Sequence, residues 1–409
     1  MSSNSKIRPV HIFESWRPVV SGYTSRSWDL INAQIRNRSL EPRVIVTSRQ
    51  FTNGEDRLDV PTQLEDRCRL CAPSSRERWI RTIRRYSLDG RALERSIDAV
   101  IDDWRVDLIH VHWSSVIGRV AARVAKRRGI PLVSEVRFDL AAAVNSQTFR
   151  QRLTWLEPNL RVFFESHLAD SQAIIAAGPS LAHHLKSCFP ELDDRIWSVS
   201  NRVVDGHFGW GPRDEIQRKA LGLQGRIVVG TTSKMLYYEG LEMLMRAMAQ
   251  ARKKVPALHL LLVGDGPEAN DLRRIARSLE LPVTFTESVP ASDVPALLRQ
   301  INLFVIPRRD SSVTRHAGPL KLVEAMASGR AIIATPVGDI RYLLDEGRGL
   351  ILPDFSIPTL TDAIIKLAED PVQRNLMGQR ARDYANRELT WNNADDLHKK
   401  IYESALALR

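Results

Sequence analysis

Short apolar runs alternate with longer amphipathic stretches through both halves of this 409-residue chain. In the first half, PVHIF (9–13), RVIVT (43–47), DLIHVH (107–112), PLVSEV (131–136), the run at 169–175 and IWSVS (196–200) read as buried strands. Between them the helical period predicts a helix ending at Ile35 and capped by Ser25 or Ser27, and one or two helices across 76–104 with a break at Gly90. Further helices are expected at 115–128, 149–167 and 180–187, whereas 48–75 is polar and has no period. The segment NRVVDGHFGWGPR (201–213) is dense in Gly and reads as a linker. The pattern then restarts, with strands at 227–231, 258–263, 283–286, 303–306, 331–334 and 350–352. Helices fall between these strands, and three more close the chain at 357–369, 371–386 and 391–408. Alternation of this kind in both halves predicts an α/β protein of two doubly wound domains with mainly parallel sheets. Their expected bounds are 1–205 and 206–389, with the terminal helix of 390–409 packing back on the first domain.

Length agrees with two domains, since single cores stop growing at roughly 250–300 residues. The chain has no apolar run of about 18 residues that would span a bilayer. Its first residues lack the apolar core of a signal peptide, and three cysteines make no disulfide framework, so a reducing cytoplasm is the expected compartment. Cys68 and Cys71 form a lone C-x2-C with no second half to complete a zinc site. A net charge of +11 favours anionic partners, but no recognition motif accompanies it, so nucleic acid is not expected. The stretch RERWIRTIRRY (76–86) sets Trp79 and Ile80 among Arg78, Arg81, Arg84 and Arg85, and Arg150, Arg152 and Trp155 form a second basic group. Such patches suit an anionic membrane surface; the other reading is a solvated face whose aromatic side chains point inward.

The candidate chemistry gathers around PLKLVEAMASGRAIIAT (319–335). An apolar-spaced helix carries one carboxylate, Glu324, about one turn from its start, stops at Gly329 and leads into a buried strand. Backbone N–H groups at such a helix N-terminus can hold phosphate while the carboxylate takes ribose hydroxyls. The alternative is a plain amphipathic helix whose Glu faces water. Gly22 follows the first strand in a loop, and His112, Glu135 and Arg137 stand at or beyond carboxyl ends of strands, where open α/β sheets bind ligands. GDGP (264–267) is half of a dinucleotide fingerprint, with no third glycine.

The stretches YYEGLEMLMRAMAQ (237–250), HLLLVGDGPEANDLRRIA (259–276), SVPASDVPALLRQINLFVIPRR (288–309), PLKLVEAMASGRAIIATPVGDIRYLL (319–344) and TWNNADDLHKKIYESAL (390–406) resemble, in order and spacing, the retaining nucleotide-sugar glycosyltransferases of family 4. SGYTSRS (21–27), RVIVTS (43–48), HVHW (110–113) and PLVSEVR (131–137) resemble a branch associated with exopolysaccharide and exosortase gene clusters. The likeness implies a GT-B fold, two Rossmann-like domains facing a central cleft. It implies a UDP- or GDP-sugar donor, retention of anomeric configuration, and a glycan or lipid-linked acceptor met from the cytoplasmic side. Donor-binding roles are implied for Gly22, Ser233, Lys234, Val289, Arg308, Gly318, Leu320, Lys321 and Glu324, with Glu324 the second acid of the family's E-x7-E motif. Catalytic roles are implied for Arg137, where many relatives have a histidine, and for His316, which stands where the motif has its first acid. That replacement leaves a second reading open, a catalytically weak nucleotide-sugar-binding partner subunit. No D-x-D occurs, so no metal and no other cofactor is expected.

Overall fold

A computed structural model describes residues 6–19, 21–47, 58–71, 90–112, 116–139, 166–209 and 211–408, and the structural statements below concern these. The chain forms two compact units, residues 1–200 together with 391–409 (unit 1) and residues 201–390 (unit 2).

Unit 1 is built on a seven-stranded parallel sheet. In chain order its strands are β1 (Pro9–Phe13), β2 (Arg43–Val46), β3 (Cys68–Leu70), β4 (Leu108–His112), β5 (Leu132–Val136), β6 (Ala173–Ala176) and β7 (Ile196–Ser198). Their spatial order is β3-β2-β1-β4-β5-β6-β7, so the winding reverses between β1 and β4. Most of these strands are buried along their whole length, which is why they read as continuous apolar runs. Three local expectations change. Ser21, rather than Ser25 or Ser27, caps the helix Gly22–Arg36 in a capping box with Thr24, so Gly22 is the first helical residue and not part of a loop. The strand read at 169–175 starts only at Ala173, because residues 166–170 form a 3-10 turn. β3 falls in a stretch read as irregular; it is an edge strand, half-buried or exposed, so it carries no apolar signature. The helix Asp395–Ala407 completes unit 1, setting Ile401, Tyr402 and Ala405 against Leu108, Val133, Ala173 and Ile175.

Unit 2 holds a six-stranded parallel sheet of β8 (Ile227–Thr232), β9 (Leu258–Val263), β10 (Val283–Phe285), β11 (Leu303–Ile306), β12 (Ala331–Ala334) and β13 (Leu350–Ile351). The order β10-β9-β8-β11-β12-β13 places its reversal between β8 and β11. Alternate residues feed two cores. Val229, Leu260, Leu262, Leu303, Val305 and Ile333 meet the helices Leu241–Ala251 and Ile357–Glu369 on one face. Val228, Leu261, Val263, Phe304, Ile306 and Ile332 meet the helix Leu320–Ala327 and its neighbours on the other. Pro319 is the N-cap of that helix rather than its first residue. Among the described residues no helix is long and apolar enough to cross a membrane.

Candidate functional site

In unit 2 every strand is parallel, so all carboxyl ends lie on one edge, and a crevice opens where the winding reverses. Ser233 and Lys234 follow β8, and Arg308 follows β11, the two strands flanking the reversal. The Ser233 hydroxyl accepts from Met235 N–H (3.0 Å) and fixes the loop, while the Lys234 side chain is exposed. Gly264 and Gly266, after β9, serve this loop. A Cβ on Gly264 would stand 2.1 Å from the Ser233 carbonyl oxygen, and one on Gly266 1.6 Å from that of Lys234. The half fingerprint is therefore explained by close packing of two loops. Val289, beyond β10, is half-buried and packs on the core under the helix Leu320–Ala327.

That helix starts at the same edge. Leu322 N–H bonds the Pro319 carbonyl (3.0 Å), the N–H groups of Leu320 and Lys321 before it have no intrahelical acceptor, and Pro319, ahead of them, has no N–H to offer. Gly318 precedes it, with its carbonyl held by the Asn201 amide (2.6 Å) and Asp339 close beneath, where a Cβ on Gly318 would meet Oδ2 at 2.5 Å. His316 caps the carboxyl end of the short helix Ser312–Arg315 just upstream. Leu320 and Glu324 are both half-buried.

The structure adds a residue that the sequence reading passed over. Glu239, buried in a 3-10 turn before the helix Leu241–Ala251, binds both predicted cations. Lys321 Nζ donates to Glu239 Oε2 (2.6 Å), and Arg308 Nη2 donates to Oε1 (3.0 Å). Burial would raise the Glu239 carboxyl, but Arg308 and Lys321 hold it down at about 2. Burial also lowers the Lys321 amine, against the pull of Glu239 and, more weakly, Glu324. Arg308 Nη1 further reaches the Ala317 carbonyl (3.4 Å), tying β11 to the approach of the helix. The signal for Glu239 was a lone carboxylate before Gly240. That glycine is at φ 68° and a Cβ there would meet the Pro307 carbonyl at 1.9 Å, so the turn is pressed onto the end of β11. Two cations sharing one carboxylate leave a positive excess beside a helix N-terminus, an arrangement suited to a diphosphate.

Unit 1 carries a different cluster at its own reversal. Glu135, inside β5, accepts from Arg26 Nε and Arg137 Nε, both at 2.9 Å. Arg137 also donates to the Tyr23 carbonyl (2.8 Å), Ser27 Oγ (2.9 Å) and His112 Nδ1 (3.0 Å), and its side chain is 6% exposed. His112 Nε2 meets His11 Nδ1 (2.8 Å), and His11 Nε2 donates to Gln34 Oε1 (2.9 Å). The Gln34 amide donates to Tyr402 Oη (2.8 Å), which meets His110 Nδ1 (2.8 Å). His110 Nε2 then faces Glu135 Oε2 at 3.6 Å, an electrostatic contact without a hydrogen bond that brings the path back to Glu135. With three neutral imidazoles, each Nε2 carries the proton and the donors run one way along the path. Burial is the first cause that lowers all three histidines, His112 to about 4. Burial would raise Glu135, while Arg26, Arg137 and His112 hold it well below the carboxylate range. The three histidines could in principle ligate a metal, with nitrogens within 4.8 Å. Here, however, His11 Nδ1 and His112 Nε2 are engaged with each other, so the donor set reads as a proton-sharing network. The basic groups at 76–86 and 150–155 lie outside the described residues.

Two reversal-point crevices on two parallel sheets define a GT-B architecture, and known proteins agree. Residues 226–370 match the family described as "Glycosyl transferases group 1", and residues 21–189 the "Glycosyl transferase 4-like domain". The chain is 31% identical over 179 residues to a GDP-mannose-dependent alpha-(1-6)-phosphatidylinositol monomannoside mannosyltransferase of Mycolicibacterium smegmatis, covering 42% of this chain and 47% of that protein. It is 27% identical over 316 residues to a D-inositol 3-phosphate glycosyltransferase of Saccharomonospora viridis, covering 74% and 70%. The match spans about half the length of the first of these relatives. Among solved structures, sucrose-phosphate synthase of Thermosynechococcus elongatus superposes with a TM-score of 0.73 at 16% identity over 98% of this chain and 100% of that one. Anabaena Alr3699/HepE in complex with UDP gives 0.70 at 18% identity, over 97% and 100%. The chain is thus similar in both halves to glycosyltransferases, and the solved structures share its two-domain fold.

Proposed function

We propose that the protein is a glycosyltransferase that moves a sugar from a UDP- or GDP-sugar to a glycan or lipid-linked acceptor with retained configuration, in exopolysaccharide synthesis. The observation that carries this reading is the meeting of Arg308, Lys321 and the N-terminus of the helix Leu320–Ala327 on one sheet edge. Charge grows on the departing diphosphate during transfer, and preorganised positive groups lower that barrier. In this reading Lys321, Arg308, Ser233, Lys234 and the N–H groups of Leu320 and Lys321 receive the diphosphate. Glu324 receives the ribose, Val289 lies by the base, and Arg137 and His316 are the catalytic groups. Gly22, at the capped start of its helix in unit 1, keeps its proposed donor role through a backbone N–H. The mannosyltransferase relative is named for GDP-mannose and a phosphatidylinositol mannoside, and Alr3699/HepE was solved with UDP, which is why both bases and a lipid-borne acceptor are included.

Calorimetric titration with UDP and GDP tests the donor assignment. Glu324→Ala is expected to weaken the preferred nucleotide by about 2–3 kcal/mol, the scale of charge-assisted hydrogen bonds; unchanged affinity removes Glu324 from the site. Sugar release from a panel of donors is expected to continue in the presence of a chelator, and loss restored by magnesium or manganese would reveal a metal requirement. Wild-type protein is expected to sediment with anionic vesicles at low salt and to leave them as salt rises. An Arg78/Arg81/Arg84/Arg85→Glu variant that still sediments would exclude that patch.

A further inference from the structure

On the edge of the unit 2 sheet opposite the candidate donor site lies a cavity of about 530 Å3. It is framed by the segment at 211–215, the residues leading into β11 and β12, and the first turn of the helix Pro371–Glu388. Three guanidiniums line it, Arg213, Arg330 and Arg374, against one carboxylate, Glu215. Among the described residues none of the three makes an ion pair, in contrast to Arg308 with Glu239 or Arg348 with Glu346.

Two of the three guanidiniums are nevertheless held in place. Arg330, 7% exposed, spends Nε on the Ser328 carbonyl (2.8 Å) and Nη1 on the Ile301 carbonyl (3.1 Å). Arg374 spends Nη1 on the Leu367 and Ala368 carbonyls (2.5 and 2.6 Å). The remaining Nη2 groups of both have no hydrogen bond to the described residues, and Arg213 makes none at all. The cations also act on one another. Arg330 is lowered to about 10, first by burial and then by Arg213 and Arg299, and Arg374 is lowered by burial and then by Arg213. Arg213 is exposed at the rim, with Glu215 nearby, whereas Arg330 is buried and its Nη2 has no acceptor among the described residues, so the inner end of the cavity carries an uncompensated cation. An anion would relieve that repulsion, and guanidinium forks match the oxygens of phosphate in two-point contact. The first turn of the helix Pro371–Glu388 is already capped by the Asp370 carboxylate, which accepts from Gln373 N–H (2.8 Å), so the positive character of the cavity rests on the guanidiniums.

We propose that this cavity is a second anion site, separate from the candidate donor crevice, which binds a phosphate-type oxyanion carrying two or more charges. The phosphate could be free or borne on a lipid, so the test has two arms. In the first, the full chain, held in saturating UDP or GDP so that the donor crevice is occupied, is titrated with inorganic pyrophosphate at low salt, followed by calorimetry and thermal melting. Pyrophosphate should raise the melting temperature of the wild type by mass action. Arg213→Glu should weaken its binding by about tenfold or more, as expected for losing a charge-assisted contact and adding repulsion. In the second arm, wild type and variant are sedimented with phosphatidylcholine vesicles containing phosphatidic acid.

Loss of pyrophosphate binding alone in Arg213→Glu indicates a free ligand; loss of both indicates a lipid-borne phosphate. Arg213 has no bonded partner, so the variant should fold, and without pyrophosphate it should melt no lower than wild type. Its affinity for UDP or GDP should be unchanged, which keeps this result independent of the donor assignment. Absence of pyrophosphate binding by wild type at millimolar concentration, or binding that Arg213→Glu does not alter, overturns the proposal.

Discussion

Both units bury a carboxylate between two cations near the reversal of a parallel sheet, yet the two clusters are built for different ends. In unit 1, Glu135 sits within a strand at 0% side-chain exposure, and its neighbours extend into a hydrogen-bonded path of three histidines, Gln34 and Tyr402. In unit 2, Glu239 sits in a turn, and its partners Arg308 and Lys321 are 10% and 12% exposed, on the crevice edge. The first arrangement spends most of its polar groups on one another in the interior, although His110 Nε2 and Glu135 Oε2 face each other without a hydrogen bond. The second holds cations in place without exhausting them. Burial of charge alone therefore does not mark a binding site; what matters is whether the charges are left partly available at an open edge.

The sharpest break of the comparison is Glu135→Gln. It leaves Arg26 and Arg137 without a counter-charge in a sealed interior and should cost unit 1 about 3–5 kcal/mol. In a denaturant titration that separates two transitions, only the unit 1 transition should move. Glu239→Gln is the counterpart in unit 2. The fall of the Glu239 carboxyl from its ordinary 4.5 to about 2 corresponds to about 3 kcal/mol. Here the unit 2 transition should shift, and nucleotide affinity should change with it, because Lys321 and Arg308 lose their fixed geometry. Equal nucleotide affinity in the variant would mean that Glu239 is structural only.

Tyr402→Phe interrupts the path without altering charge. Gln34 and His110 each lose a buried partner, and unit 1 should lose about 2 kcal/mol with no change in nucleotide binding. The gentlest probe is pH. The three histidines are depressed in the folded state, so their contribution is complete above about 6.5 and is lost as pH falls. Each proton taken up only on unfolding changes stability by about 1.4 kcal/mol per pH unit. Glu239 is also depressed, so its contribution is lost only between 4.5 and about 2. Among the described residues unit 2 has one depressed histidine, His259, lowered by burial to about 4, against three in unit 1, so acidification followed by hydrogen exchange should loosen unit 1 before unit 2, and the reverse order would contradict the neutral histidines of unit 1.

Most of the fold was legible because parallel strands are apolar along their length and the helices between them keep a clear period. β3 was not, since Cys68, Arg69 and Leu70 lie on an edge and alternate with nothing. At the site, Arg308, Lys321 and Glu324 could be chosen from their positions after a strand or on a helix's first turns. Glu239 could not, because its meaning depends on residues about 70 and 80 positions away. The path through His11, Gln34, His110, His112 and Tyr402 was hidden for the same reason, its last pair spanning 292 positions. His112 and Glu135 were visible singly, but nothing in the order of the chain says that they share a proton network.

The return of residues 391–409 to unit 1 has a consequence for synthesis. Unit 2 is continuous in sequence and can fold as soon as Thr390 has left the ribosome. Unit 1, although begun first, cannot. Until Ile401, Tyr402 and Ala405 emerge, Leu108, Val133, Ala173 and Ile175 have no cover on that face, and the Gln34 amide and His110 have no phenol between them. The nascent chain thus carries an unfinished sheet through the making of the whole second unit, and the helix Asp395–Ala407, made after that unit, is the one that closes the first.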